Sequence, residues 1–452
     1  MEKLSLAEVL KATGANSNFN GEIIFSGVTT DSRKITEGVL FVALKGENFN
    51  GEDFAEDSLK KGAAAVLVSN SAKNISGGVV LKVEDTLTAY QKISQSWRER
   101  FQIPVIAITG SNGKTTTKDL TAAALSPLGE IQKTSANFNN EIGVPLTLLG
   151  INEHHKAAVV EIGMRGLGQI ESLAKIVKPN IGIVINVNET HIEILKSVEK
   201  IAKAKGELVE AIPSGGTVIL NADNDFTAEM KKLAKNGVKI ITYGIENPAD
   251  LTAKNIVIED TSTEFRLNYG NEIFDFEIPI IGRHNVSNAL AAIAAGLTLG
   301  LSIKEIQRGF STLATTKMRF EVIRRDGVTI VNDAYNASPA SMRAAIQTVA
   351  EIYEGRKIAV LGDMLELGEI SEKVHREVGE ELAKNKFDTL ITLGELGKFI
   401  ADGAKDAGLK NIFTASTHEE VAKKILEIMR DGDTILFKAS HGMHFEKIIE
   451  LI

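Results

Sequence analysis

The chain has 452 residues, of which 43% are hydrophobic and 24% charged, with a formal net charge of -8 and no cysteine. That length exceeds what one core organises, so two or three globular domains are expected. Disulfides and thiolate catalysis are excluded, no basic block marks a nucleic-acid surface, and the charged, amphipathic start "MEKLSLAEVLKATG" has no apolar core of signal or membrane-spanning length, so a cytoplasmic protein is expected.

Up to about residue 83 the chain carries short strands, such as "VLFVAL" (39–44) and "AAAVLVS" (63–69), separated by loops like "KGENFNGED". A polar helical stretch (84–100) leads into "FQIPVIAITG". The middle region alternates strand and helix, with "PVIAIT", "AAVVEIG", "IGIVINV", "GTVILNAD" and "VKIITYG" as strands, which implies a mostly parallel sheet covered by helices. Residues 250–281 break that rhythm with the alternation of "FRLNYGNEIFDFEIPI", read as an antiparallel edge. "HNVSNALAAIAAGLTLG" follows as an Ala-rich helix. After about residue 315 a second array begins, with strands "VTIVND", "KIAVLGD", "DTLITLG", "NIFTA" and "TILFKAS", and reads as a Rossmann-like unit.

The stretch "VIAITGSNGKTTTKDL" (105–120) has the order of a phosphate cradle: a buried strand, a Gly-rich loop, then Lys-Thr opening a helix. The common G-x-x-x-x-G-K-[ST] spacing requires glycine at 108, where Ile108 stands, so the loop is the shorter G-x-x-G-K-T. Gly110 and Gly113 permit positive φ and close backbone approach, and a helix opening at Lys114-Thr115 offers free N–H groups and a favourable dipole to an anion. Lys114 would reach the outer phosphates and the Thr115 hydroxyl would hold Mg²⁺. An ordinary strand-to-helix turn is the plain alternative. "VVEIGM" puts Glu161 at the carboxyl end of an apolar strand, where α/β sheets bind ligands and where a carboxylate suits a hard cation. "INVNETH" likewise puts Asn186 and His191 beyond a strand end. In "SVEKIAKAKGELVEAI", Lys205 falls on the apolar stripe of Val198, Ile201, Leu208 and Ile212. It is either a snorkelling lysine at the rim of the core or a lysine held beside cations, which carbamylation by CO₂ would turn into a carboxylate-like ligand.

"GRHNVSNALAAIAAG" crowds His284, Asn285 and Asn288 at a helix start, where Asn285 can cap and asparagine amides can read an adenine edge. Arg319, in "MRFEV", sits at a domain junction. "VNDAYNASPASM" ends a strand with Asp333, Tyr335 and Asn336, either as a turn and helix cap or as a ribose-binding acid.

Taken together these residues resemble the Mur ligase family, ATP-dependent amide-bond ligases of peptidoglycan precursor synthesis. The resemblance rests on "TGSNGKTT" (109–116), "TSANFNNEIGVPLTLL" (134–149), "EIG" (161–163), His191, "KAKGE" (203–207), "GRHNVSNALAA" (282–292) and "NDAYNASP" (332–339). Within the family, "TTDSRKITEGVLFVALKGENFNGEDF" (29–54), "NDAYNASPASM" (332–342) and "VLGDMLELGEISEKVH" (360–375) look most like the members that add D-alanyl-D-alanine, and no Asp-Asn-Pro-Arg signature of the diaminopimelate-adding members is present.

The resemblance implies an α/β chain of three domains: a small N-terminal UDP-binding domain with a linker helix (1–98), a central P-loop-type ATPase domain on a mostly parallel sheet (99–314) and a C-terminal Rossmann-like domain (315–452). It implies ATP bound by the loop Thr109, Gly110, Ser111, Asn112, Gly113, Lys114, Thr115 and Thr116, with Lys114 on the β- and γ-phosphates. Two Mg²⁺ ions would be served by Thr115, Glu161, His191 and a carbamylated Lys205. Asn285 and Asn288 would line the adenine, and Arg319 and Asp333 the closing C-terminal face, with Asp333 on the ribose. Ser32, Lys45 and Gly46 would meet the UDP of the substrate; Asn137, Asn336 and Asp363 would lie near the substrates. The implied partners are UDP-MurNAc-tripeptide and D-alanyl-D-alanine, acting on a monomer that binds no nucleic acid and inserts into no membrane. Ala136 stands where relatives commonly have glycine, and His441 where they often have arginine. The alternatives are a family member adding diaminopimelate or lysine, a folylpolyglutamate synthase-like ligase, and, in another class, a P-loop NTPase switch.

Overall fold

The computed structural model describes residues 3–46, 49–313 and 318–452. The expected boundary at 314/315 lies outside the described residues. The chain falls into two compact units, one made of Met1–Ala107, Leu128–Gly163 and Ile170–Ile181, the other of Ile108–Pro127, Met164–Gln169 and Gly182–Ile452. The class is α/β, as the alternating pattern implies.

In the first unit a five-stranded sheet runs in the order Asn16–Ser17, Val79–Val83, Ala65–Ser69, Leu40–Val42, Val28–Thr29. All pairs are parallel except the first. Its strands are short apolar runs because both faces are covered; Phe41, Val66, Val68 and Val80 form the core with Ala55 and Ala63. The helix Thr86–Arg98 starts where the Asp85 carboxylate accepts from the Thr88 amide, and it buries Tyr90, Ile93 and Trp97 on one face. The Trp97 indole donates to the Ile151 carbonyl at 2.9 Å. A parallel pair, Glu130–Lys133 and His155–Glu161, completes this unit, and the second of these strands is buried from Ala157 to Glu161.

In the second unit the strands Ile181–Val184, Thr217–Asn221, Lys239–Gly244, Leu251–Ile258, Thr263–Tyr269 and Glu272–Ile278 lie side by side in chain order. The last three are antiparallel to one another, as the 250–281 alternation predicts. The helix Arg283–Thr298 is buried on nearly every side, and its alanines let it lie close to the helix Lys114–Leu125. Residues from 318 onward build a six-stranded sheet in the order Glu321–Arg325, Val328–Asn332, Thr434–Lys438, Lys357–Gly362, Thr389–Leu393, Asn411–Ala415, parallel except for the first hairpin. The two faces follow the strand period of two. Val331, Ala359, Leu361, Leu390 and Leu436 pack under the helices Pro339–Ile352, Ser371–Lys384 and Gly397–Asp406, whereas Ile330, Ile358, Val360, Ile391, Ile435 and Phe437 pack under His418–Ile428 and Glu446–Leu451. Chain order breaks where Thr434–Lys438 enters between Val328–Asn332 and Lys357–Gly362. Such a crevice at the carboxyl ends of the strands is where sheets of this kind bind ligands, and Asp333, Lys438 and Asp363 all stand there.

Two helices of this lobe touch backbone to backbone. A Cβ added at Gly379 would lie 2.0 Å from the Ile400 carbonyl oxygen and 2.6 Å from the Ala404 nitrogen, and one at Gly403 would lie 2.1 Å from the Arg376 carbonyl oxygen. Gly379→Ala is therefore expected to lower stability by about 1–3 kcal/mol. Calorimetry measures this as a fall in the thermal midpoint, and an unchanged midpoint would mean that the helix pair relaxes freely.

Candidate active site

The loop 110–113 is held from behind by the segment that follows the strand Ile181–Val184. The Ser111 amide donates to the Asn186 carbonyl at 3.0 Å, and the Asn112 amide donates to Asn186 Oδ1 at 2.9 Å. Asn186 Nδ2 returns a bond to the Asn112 carbonyl at 3.2 Å. The Ser111 hydroxyl lies between the amide and the carbonyl of Asn188. Of the two loop glycines only Gly113 adopts a positive φ, +80°. Gly110 serves close approach instead, since a Cβ there would stand 3.0 Å from the Ile185 Cβ.

The helix Lys114–Leu125 opens directly after Gly113. Lys114 folds back over the loop, its Nζ 2.8 Å from the Gly110 carbonyl and 3.2 Å from that of Ser111. The loop is backed by a relay of amides: Thr117 donates to Asn288 Oδ1 (3.1 Å), Asn288 to Asn285 Oδ1 (3.0 Å), and Asn285 to the Ile281 carbonyl (2.7 Å). Both asparagines are buried and bonded inside the protein. The helix Arg283–Thr298 is capped by Gly282, and Asn285, expected at the cap, sits within its first turn.

The C-terminal lobe meets this loop. Arg319 Nη2 donates to the Thr115 hydroxyl at 2.9 Å, and its guanidinium lies 4.0 Å above the Tyr335 ring, on which His441 stacks with centroids 5.4 Å apart. Ser338 accepts from Ser341 as N-cap of Pro339–Ile352 and donates to Asn112 Oδ1 at 2.9 Å. Arg319 Nε and Asn112 Nδ2 are buried without a hydrogen-bond partner among the described residues. Two such donors beside a glycine loop and Lys114 are the chemistry an anionic ligand satisfies. Asp333 accepts from the Phe320 amide at 3.1 Å and is ion-paired with buried Lys438, which also reaches the Asn336 carbonyl at 3.2 Å. Asp363 accepts from the Leu396 and Gly397 amides at 3.0 and 2.8 Å, at the start of the helix Gly397–Asp406; burial pushes its carboxyl up.

Lys205 is 2% exposed, in the helix Val198–Ala211. Burial first, and then the ammonium of Lys114, push it well below the usual lysine value. His191 has a φ of +63°, and its Nδ1 stands 2.6 Å from a carboxylate oxygen of Glu366.

In the first unit, Glu161 is 2% exposed. Its carboxylate accepts from the Asn139 side chain at 2.7 Å and its amide donates to the Thr134 hydroxyl at 3.0 Å. Asn137 is exposed, next to Ala136, whose φ of +47° is one that glycine adopts more readily. Ser32 lies in a turn where the Arg33 guanidinium beside Asp31 holds that carboxyl down at about 2. Lys45 bridges to Asn50, and the Gly46 amide donates to the Phe49 carbonyl at 2.9 Å.

Three stretches of the chain match family patterns: residues 24–102 the Mur ligase family, catalytic domain; 108–296 the Mur ligase middle domain; 318–441 the Mur ligase, glutamate ligase domain. The UDP-N-acetylmuramoyl-tripeptide--D-alanyl-D-alanine ligase of Bacillus subtilis is 40% identical over 455 residues, 99% of this chain and 97% of its own length. This chain belongs to the Mur ligase family. The crystal structure of MurF from Acinetobacter baumannii superimposes with a TM-score of 0.92 at 31% identity, covering 100% of this chain and 98% of that one. The MurF ligase of Thermotoga maritima in complex with ADP gives 0.84 at 28% identity, over 94% and 96%.

Among the described residues no group of three or more His, Asp or Glu stands close enough to hold a metal ion. Mg²⁺ would need further oxygen donors here, which Lys205 could supply only in a modified form. A buried ammonium facing a second ammonium is unfavourable, and the same side chain as a carbamate is an anion with oxygen ligands. Lys438, Glu366 and Asn139 escaped the sequence reading. A lysine closing the fully buried strand Thr434–Lys438 was the one signal for the first; the partners of the other two are far away in sequence.

Gly113→Ala would place a Cβ 2.7 Å from Asn288 Oδ1 at a φ that side chains rarely adopt. A cost of about 1–3 kcal/mol is expected to appear as an approximately tenfold or greater loss of nucleotide affinity by calorimetry, with the circular dichroism spectrum unchanged.

Proposed function

We infer that the chain joins D-alanyl-D-alanine to UDP-N-acetylmuramoyl-tripeptide at the expense of ATP, in peptidoglycan precursor synthesis. The observation that carries this reading is similarity along the whole chain to ligases of that name, including 40% identity over 99% of its length with the Bacillus subtilis enzyme. No helix among the described residues is long and apolar enough to cross a membrane. The reading places the enzyme in the cytoplasm.

The reaction has two steps. The tripeptide's terminal carboxylate attacks the γ-phosphorus of ATP, giving an acyl phosphate and ADP. The free amine of D-alanyl-D-alanine then attacks the acyl carbon, and the tetrahedral intermediate expels phosphate. Lys114 offsets charge on the transferring phosphoryl group, and the helix that opens at Lys114 favours the phosphates. Arg319 reaches the same phosphates from beside Thr115, its plane set by Tyr335. Asp333, held by Lys438 and the Phe320 amide, receives the ribose. Asn285 and Asn288 brace the loop from the adenine side. Mg²⁺, when bound, neutralises phosphate charge and polarises the transferring group. Thr115, His191 and Lys205, the last as its carbamate, would hold it, and the family resemblance adds Glu161. Ser32, Lys45 and Gly46 belong to the UDP end, Asn137 and Asn336 to the substrates, and Asp363 acts there by fixing the start of its neighbouring helix. The functional division is 1–98 for the UDP substrate, 99–314 for ATP and 315–452 for closure, in a monomer.

Carbamylation of Lys205 balances simply. The neutral amine attacks the carbon of CO₂ and releases one proton, leaving a carbamate anion. Depression of the lysine below its usual value enlarges the share of neutral amine.

Steady-state ADP release should require both UDP-MurNAc-tripeptide and D-alanyl-D-alanine, and Lys114→Ala should reduce it by about 10²-fold or more while the protein stays folded. ADP release independent of the dipeptide would instead indicate an NTPase switch. Lys205→Ala should be inactive and partly rescued by acetate, whereas Lys205→Arg should not be, since its side chain fills the space and keeps the positive charge. Full activity of Lys205→Ala would rule the carbamate out.

A further inference from the structure

Both ring nitrogens of His375 are committed to backbone groups. The side chain is fully buried in the helix Ser371–Lys384. Its Nε2 accepts from the Met364 amide at 2.9 Å, and since an amide N–H only donates, that nitrogen carries no proton. Its Nδ1 lies 2.7 Å from the Ser371 carbonyl, which only accepts, so the one proton sits there. The two partners fix a single neutral tautomer. Burial holds the ring below the usual histidine range, against the pull of the Ser371 carbonyl and of Asp363. Asp363 is the charged group that faces it. Its charged neighbours on the helix have other partners: Arg376 meets Glu372, Asp402 and Asp406, and Glu377 meets Arg343.

The amide bound by His375 belongs to the loop 363–367, which leaves the strand Lys357–Gly362 at the crevice of the lobe's sheet. On its other side the loop is tied to Ser440. The Leu365 amide donates to the Ser440 hydroxyl at 3.0 Å, and the Ser440 amide donates to the Asp363 carbonyl at 3.1 Å. The next residue, His441, stacks on Tyr335, over which the Arg319 guanidinium lies. Met364 and Leu367 are buried, whereas Leu365 between them is 47% exposed. The loop is thus pinned between a buried ring and the wall of the crevice, with one apolar side chain turned outward.

We propose that His375 is a positioning residue for the amine substrate: by accepting from the Met364 amide it holds the loop 363–367 in the form that lines the crevice, and a proton on Nε2 releases that loop. This rests on the reading of the chain as a dipeptide-adding ligase. In that reading ATP is taken by the glycine loop, Arg319 and Asp333, and UDP by residues 1–98, which leaves this rim of the lobe for D-alanyl-D-alanine. A protonated ring sets N–H against N–H at Met364. Because the neutral ring is the one that grips, the grip is complete at neutral pH and is lost as the pH falls through the lowered value of the folded protein.

The test is steady-state kinetics of the full chain with each substrate varied in turn, from about pH 8 to about pH 5, beside ¹⁵N spectra of the histidine rings. His375→Leu leaves the Met364 amide unpaired and should raise KM for D-alanyl-D-alanine about tenfold or more, with KM for ATP and for the UDP precursor unchanged. His375→Gln supplies an amide oxygen that accepts from Met364 and does not titrate, so its KM at the alkaline end should match that of the native chain. Toward the acid end the kcat/KM for the dipeptide should rise in the glutamine variant relative to the native chain. Protonation of the dipeptide's own amine is common to both proteins and cancels in that ratio. A ratio that stays constant with pH would overturn the proposal. So would a proton on Nε2 of His375 in the native chain at neutral pH, or a His375→Leu variant that raises all three KM values alike, which is loss of structure alone. ADP release by the native chain without the dipeptide would remove the ligase reading, and the proposal with it.

Discussion

A loop that wraps around an anion is too short to hold its own shape by internal bonds, so something else must hold it. Here that hold is Asn186. Its carbonyl and its side-chain amide together make three hydrogen bonds to Ser111 and Asn112, and the pair is continued by Ser111 with Asn188. Behind the loop Asn288 fills the space that a side chain at Gly113 would need. With the backbone fixed from two sides, Lys114 can fold over it, Thr115 can open a helix, and Arg319 and Ser338 find their partners at defined positions. Preorganisation of this kind is what makes fixed dipoles effective against developing charge.

The second consequence is electrostatic. Lys114 and Lys205 lie close enough for one to depress the other, and Arg319 meets Thr115 one residue beyond Lys114. Such an accumulation of positive charge favours an anionic ligand such as the phosphates of a nucleotide. At Lys438 the partner is visible inside the lobe, where Asp333 neutralises it.

Local features were readable from residue order. The buried strands, the antiparallel edge at 250–281 and the short phosphate loop each follow from patterns a few residues long, and Ser338 and Pro339 form the helix start that "NASP" predicts. Family resemblance then supplied roles that spacing leaves open, such as that of Lys205. What stayed hidden was long-range pairing. Nothing near Glu366 in the sequence points to His191, and nothing near Asn139 points to Glu161, because each contact is made by chain folding over tens of residues or more. Similar chemistry at two positions was also not separable beforehand. Gly110 and Gly113 look alike in a loop, yet only the second needs a left-handed backbone; Asn285 looks like a cap, yet Gly282 takes that place.

Gly379 and Gly403 bring two helices of the C-terminal lobe so close that carbonyl oxygens fill the places of side chains. Surfaces in such contact do not slide past one another without tearing open the core beneath them, made here of Val374, Val378, Leu382 and Ile400. That helix pair is consequently the part of the lobe least free to deform, and a residue change at its seam is felt by the core beneath before it is felt by the loops around it.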